Sequence, residues 1–315
     1  HLQREAVADE IRNAVLVLTA VFDQNLPDVA RSIALAVPAS RAAGRETPLD
    51  CIACENMMDS SSTLGRHVRA LLGGEDLAWC QQHVGFPDCM ISRVVPRPEP
   101  DPLVIVAEDY NEWTARAEAF RGPKPARLTA LEPVDNQSAR LERKLFVHNG
   151  GHAVCGYVGF HRRHRYVHEA VADPVVAEHV LGALDELGEV VRQKHEFSPE
   201  SIEAYKQDFC IRGAVPEMND AILRVVRDPI RKLSPRERLV APAKLAIECG
   251  LARRWIVKGI VAALKYRHPA DSQSLELAEK LSQNGLRSVL EEICTIEKSS
   301  PLADEIEEAW NCWTL

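Results

Sequence analysis

The feature that most constrains this chain is a change in the spacing of its apolar residues near position 129. Before it, short apolar runs alternate with helix-spaced segments. Strands are expected over 15–21, 49–54, 89–95 and 102–107, and helices over 3–12, 26–36 and 61–72. Such alternation specifies a mostly parallel sheet flanked by helices. After it, apolar residues recur at helical spacing up to position 311, including 136–160, 164–171, 174–194, 217–226 and 236–249. Ser198-Pro-Glu-Ser201 and Ser234-Pro-Arg-Glu237 read as helix starts, with Ser at the cap and Pro in the first turn. The expected fold class is α/β plus all-α, with an α/β domain over 1–128 and a helical domain over 129–315. The proline-rich piece Val95–Pro102 reads as a loop, and Gly122-Pro-Lys-Pro125 falls close to the domain change.

The 315 residues, 46% of them hydrophobic, are enough for two cored domains. Apolar runs such as Val15–Phe22 and Leu103–Ala107 are far shorter than the ~18 residues that span a bilayer, so no membrane role is indicated. A formal charge of -8 argues against general nucleic-acid binding, which depends on excess Lys and Arg. Nine cysteines, an odd and scattered set, indicate a reducing, cytoplasmic setting. Cys51 and Cys54, three apart on an expected strand, point to opposite faces and have no second close pair at zinc spacing, so no metal site is expected.

Chemistry concentrates in Lys144-Leu-Phe-Val-His-Asn149-Gly-Gly-His152. At about 100° per residue, Lys144, His148, His152 and Asn149 fall at roughly 0°, 40°, 80° and 140° around a helix, facing one cleft. Gly150 and Gly151 leave room for a ligand or another backbone, at roughly 1 kcal/mol each in helix propensity. A Lys and two His on one face also suit a solvated surface. Here Phe146, Val147, Ala153, Val154, Tyr157, Val158 and Phe160 surround them, and partial burial would lower the lysine pKa from about 10.4 toward about 8, as a general base requires.

The stretch Val134–His152 resembles the signature of the long-chain, zinc-independent polyol dehydrogenases, most closely the mannitol-1-phosphate 5-dehydrogenase branch. The resemblance continues through Ile52-Ala-Cys-Glu-Asn56-Met, Val84-Gly-Phe-Pro, Arg93-Val-Val-Pro96, His168–Pro174, Gly182–Gly188, Asp228–Pro235 and Ile256–Arg267, covering nearly the whole chain. It implies a Rossmann-type NAD-binding domain, followed by a helical substrate domain like the C-terminal domain of 6-phosphogluconate dehydrogenase. The family's opening strand, glycine-rich turn and helix, roughly seventy residues, would fall before His1. The Rossmann-type domain is thus expected to be N-terminally incomplete, and these residues alone to bind NAD weakly.

The resemblance places catalytic roles on Lys144 as acid/base, Asn149 and Asn56 as oxyanion donors, and His152 as holder of a substrate hydroxyl. Asn56 also lies at the carboxyl end of an expected strand, where open α/β sheets bind ligands. The family's polyol-contacting Arg and Lys fall on Arg224 and Lys232. Arg227 and Arg231 lie between them, and arginine suits phosphate. Arg93 is a further substrate candidate, and Thr19, Val21 and Glu55 are cofactor candidates. Departures from the family are Ser92 in place of Asp, Gly213 in place of Phe, Val215 in place of Asn, and His148 and Gly150 beside Asn149. The cationic run His161-Arg-Arg-His164-Arg165 is expected on a solvated turn, its arginines opposing a metal.

The expected activity is NAD-dependent interconversion of mannitol 1-phosphate and fructose 6-phosphate by a monomer or weak dimer. The alternatives are a mannitol 2-dehydrogenase, a fructuronate or tagaturonate reductase, or a non-catalytic fragment.

Overall fold

The computed structural model describes residues 3–95, 101 and 103–314. Most of the proline-rich stretch, Pro96 included, lies outside them. Two compact units divide the chain: His1–Arg93 with Asp109–Leu141, and Val94–Glu108 with Glu142–Leu315. The sequence reading put the change at 128/129; in the structure the described residues of 94–108 group with the later unit and 109–141 with the earlier one.

The first unit runs α1 (Arg4–Asn13), β1 (Leu16–Thr19), α2 (Leu26–Ala42), β2 (Leu49–Ala53), α3 (Ser60–Ala70), α4 (Gly74–His83) and β3 (Val84–Gly85). These strands form a parallel sheet in the order β1-β2-β3, with Leu16 opposite Asp50 and Leu49 opposite Val84. All five residues of β2 are buried, as expected for a strand covered on both faces. The exception to its apolar character, Asp50, accepts hydrogen bonds from the backbone N–H of Arg121 (2.8 Å) and Gly122 (3.1 Å), which satisfies the buried carboxylate.

A second sheet pairs β4 (Cys89–Ser92) antiparallel with β5 (Glu112–Arg116), and β5 parallel with β6 (Leu131–Val134). This corrects the sequence reading twice. The described residues of the expected strand 102–107 form no strand: Leu103 is 90% and Ile105 74% exposed, because apolar residues without a pairing strand have nothing to bury against. The strands β5 and β6 were missed because Glu112-Trp-Thr-Ala-Arg116 and Leu131-Glu-Pro-Val134 are too polar to announce a core strand. Pro133 fits an edge strand such as β6.

The helix α5 (Gln137–Arg143) leads into a π-helical turn, Lys144–His148, and then α6 (Asn149–His161). There follow α7 (Val167–Ala172), α8 (Pro174–Lys194), α9 (Pro199–Gly213), α10 (Ile222–Val226), α11 (Pro229–Lys232), α12 (Val240–Glu248), α13 (Arg254–Lys265), α14 (Ser272–Asn284), α15 (Leu286–Cys294) and α16 (Pro301–Asn311). The helix α6 is the axis of this unit, buried from Ala153 to Gly159 and packed on α8, α10 and α13. Fully burying a side chain such as Val154 or Val158 contributes about 1.5–3 kcal/mol.

Helix starts follow local chemistry. Asp173 caps α8 by accepting from Val175 N–H (2.8 Å), and Ser198 caps α9 by accepting from Ser201 N–H (3.1 Å). The expected start at Ser234 is a turn instead, with Glu237 N–H on the Ser234 carbonyl, and α12 begins only at Val240. Glu237 is drawn away from any capping role by Arg238 (2.9 Å) and Arg231 (3.3 Å). Among the described residues no helix is long and apolar enough to cross a membrane.

Candidate active site

The central departure from a regular helix falls on the residues that carry chemistry. The Asn149 N–H donates to the Lys144 carbonyl, an i→i+5 bond that widens the turn over Lys144–His148. In an uninterrupted α-helix a residue five positions on sits about 140° around the axis. A wider turn brings Asn149 back toward the side of Lys144, and π-bulges of this kind occur frequently at functional sites. Lys144, Asn149 and His152 are each partly buried.

The two glycines have a packing reason. A Cβ on Gly150 would stand 2.9 Å from the Arg238 carbonyl oxygen, and one on Gly151 2.6 Å from Leu184. Of the two openings anticipated, for ligand or for protein, both are filled by protein.

His148 is buried, and with His152 it lines one pocket of the helical unit. It is 7% exposed, edge-on to Phe209 at 5.4 Å and 5.9 Å from the His152 ring, and its buried Nδ1 has no hydrogen-bond partner. Burial, reinforced by the charges of Arg212, His152, Lys144 and Arg238, holds its pKa well below the ordinary imidazole value.

His152 is fixed by a residue that sequence reasoning missed. Its Nε2 lies 3.1 Å from Asp220 Oδ2, and the same carboxylate accepts from Arg224 Nε (2.7 Å) and Nη2 (2.8 Å). Burial alone would raise the Asp220 pKa, but the hydrogen bonds from His152 and Arg224 outweigh it and bring it to about 2. The available signal was the four-residue spacing of Asp220 and Arg224. Beside His152 opens a pocket lined by Val167, Phe209, Met218 and Asp220, with Arg212 and Glu108 also on its wall. Arg212 Nε and Nη2 bind Glu108 at 2.8 and 2.6 Å, a buried bidentate pair that ties the 94–108 segment to α9.

The expected cation run is not one patch. Arg224 is committed to Asp220. Lys232 is 5% exposed, its ammonium donates to the Arg227 carbonyl, and its pKa falls to about 7 through burial and the nearby Arg238 and Arg231 charges. Arg227 and Arg231 remain exposed, Arg231 pairing with Glu237.

In the first unit the cofactor candidates hold one another. Glu55 Oε1 accepts from Thr19 Oγ1 (3.1 Å) and Val21 N–H (3.0 Å), and Oε2 accepts from Phe22 N–H (3.0 Å). That carboxylate fixes the turn past β1, where Phe22 has φ of 66° and is 75% exposed. Asn56 is exposed just beyond β2. Arg93 donates from Nε to the Tyr110 carbonyl (3.0 Å), so its guanidinium is partly spent on the backbone. Ser92 is buried and its hydroxyl has no partner. Among the described residues no group of three or more His, Cys, Asp or Glu could hold a metal ion.

Residues 2–127 match the mannitol dehydrogenase Rossmann domain family, and residues 138–312 the mannitol dehydrogenase C-terminal domain family. The fold is similar to that of Pseudomonas fluorescens mannitol 2-dehydrogenase, solved as a ternary complex with NAD and D-mannitol. The TM-score is 0.76 at 21% identity, covering 98% of this chain and 74% of that one. It is also similar to a substrate-free D-sorbitol dehydrogenase, with TM-score 0.81 at 16% identity and the same coverage of 98% and 74%.

Proposed function

Because the chain belongs to the mannitol dehydrogenase family, we propose that it oxidises a secondary hydroxyl of a hexitol to the ketose, and runs the reverse reduction, with NAD. The observation that carries this reading is the π turn, which draws Asn149 toward the side of Lys144 one helical turn before a histidine locked by Asp220. In oxidation the neutral Lys144 amine accepts the hydroxyl proton, and in reduction the ammonium returns it. The Asn149 carboxamide donates to the oxygen as negative charge develops there. His152, oriented by Asp220, holds a neighbouring hydroxyl.

NAD, when bound, supplies the two-electron acceptor. The parallel strands β1 to β3 and the turn past β1 suit it, since open α/β sheets bind dinucleotides beyond the carboxyl ends of their strands. Thr19, Val21 and the exposed Phe22, braced by Glu55, are the residues that would hold it. Lys144, Asn149 and His152 belong to the helical unit, and Asn56 to the other one.

Two substrates compete. Resemblance points to mannitol 1-phosphate and fructose 6-phosphate, with the exposed Arg227 and Arg231 as phosphate candidates, although Asp228 and Glu237 already stand beside them. The geometry favours an unphosphorylated hexitol, as in a mannitol 2-dehydrogenase. Arg224 is already neutralised by Asp220, and an amine with pKa about 7 at Lys232 suits a hydroxyl better than a phosphate dianion. The test is reduction of fructose and of fructose 6-phosphate with NADH, by wild type and Lys144→Ala. Loss of Lys144 should lower kcat by about 10²–10⁴, and a variant within a few-fold of wild type removes the lysine from its role. The wild-type ratio of kcat/KM for the two ketoses decides the substrate.

A further inference from the structure

A separate cavity of the helical unit lies where α6 ends at His161. It measures about 600 Å³. Phe160, Tyr166 and Leu223 form its apolar wall, Arg163 and Arg165 contribute its guanidinium groups, His161, His164 and His268 its imidazoles, and no carboxylate lines it. His161 lies nine positions along α6 from His152, roughly 13 Å of helix.

The segment 161–165 sorts its charges into two sets. Asp173 Oδ2 binds both Arg162 Nε and His164 Nε2 at 3.0 Å. Glu169 spends its carboxylate on the N–H groups of Arg165 (2.8 Å) and Tyr166 (3.1 Å) at the start of α7. Among the described residues the Arg163 and Arg165 side chains have no carboxylate partner. Arg165 lies 5.8 Å over the Tyr166 ring, which in turn stacks on His168 at 5.6 Å. Arg163 has φ of 66°, the left-handed position that glycine usually takes after a helix. An arginine there costs about 1 kcal/mol or more, and such strain is retained characteristically where a side chain has a task.

Two guanidinium groups without acids, set against an aromatic wall, match a phosphoryl group on a small organic body. We propose that this cavity binds a phosphate monoester, at a site separate from Lys144, Asn149 and His152.

Calorimetry at fixed ionic strength with inorganic phosphate and with glucose 6-phosphate tests this. The proteins to compare are wild type, Arg163→Gly, the double variant Arg163→Gly/Arg165→Gln, Lys144→Ala and Arg231→Gln. Arg163→Gly is informative because it removes a guanidinium while relaxing the backbone, so it should melt no lower than wild type while binding more weakly. The double variant should weaken both probes about ten-fold or more, the loss of one charge-assisted contact or more. Lys144→Ala and Arg231→Gln should bind as wild type does. Equal affinity for the two probes identifies free phosphate as a sufficient ligand, and tighter binding of the ester identifies an organic phosphate; both support the site. No saturable binding by wild type, unchanged binding by the double variant, or loss that follows Arg231→Gln or Lys144→Ala would overturn it.

Discussion

Lys232 permits a quantitative test. Its amine is 5% exposed and donates to the Arg227 carbonyl, and its pKa in the fold is about 7 against 10.5 for the free side chain. Burial is the main cause, the Arg238 and Arg231 charges add to it, and Asp228 and Glu237 only partly offset it. Below pH 7 both folded and unfolded chains carry the proton. Between 7 and 10.5 the unfolded chain holds a proton that the fold has released, so stability rises with pH by about 1.4 kcal/mol per pH unit. From 10.5 to about 7 the whole effect is roughly 5 kcal/mol. Lys232→Met keeps the length of the side chain without its charge. The variant should be more stable than wild type by several kcal/mol at pH 7, and the gap should close toward pH 10. Urea denaturation of both proteins from pH 6 to 10 at constant ionic strength measures the gap. Two curves that stay parallel across pH 7–10 would show that Lys232 remains charged in the fold, and the argument for a hydroxyl-binding amine would go with it.

Asp220→Asn removes the carboxylate shared by His152 and Arg224, so kcat/KM should fall about ten-fold or more. Because its pKa is depressed to about 2, the stability it contributes should persist above pH 4 and disappear as pH falls toward 2, an acid limb missing from the variant. His148→Phe should likewise flatten the acid side in the difference between its pH–stability curve and that of wild type. The unfolded imidazole takes a proton below 6.5 while the buried one stays neutral, so wild type loses stability as pH falls from there. Gly182→Ala would drive a methyl group into the Trp255 ring on α13, and should cost about 1–3 kcal/mol, read as a lowered Tm without a change in KM.

The legible parts of this chain were those decided locally. The helix α8 begins where Asp173-Pro174 says it should and runs to Lys194 on a largely apolar stripe, and β2 is visible in Leu49–Ala53 because burial on both faces demands a mostly apolar run. The parts that were not legible depend on distant partners. Leu103–Val106 has strand composition but no edge to pair with, whereas Glu112–Arg116 becomes a strand because β4 and β6 lie on either side of it. The place of 94–108 in the helical unit turns on Glu108 and Arg212, 104 positions apart. In the candidate site, the spacing of Lys144, Asn149 and His152 was apparent, but the π turn has no residue signature, and the carboxylate on His152 comes from 68 positions downstream. The resemblance reached the family; the choice between phosphorylated and free hexitol depends on how Arg224 and Lys232 are paired, which spacing does not reveal.

The position of the site on α6 follows from the same packing. A helix buried on every side has no solvent face on which to carry a lysine, an amide and an imidazole, so these groups fall in its first turn and in the π turn that precedes it. There the glycines at 150 and 151 let the Arg238 backbone and the Leu184 side chain close in, leaving less freedom for the residues on either side. The π turn then supplies what a regular α-helix would deny, a rotation of Asn149 relative to Lys144, closed by the Asn149 N–H on the Lys144 carbonyl. Rigid packing and an irregular turn are in this sense one device: the packing holds the turn, and the turn aims the polar groups.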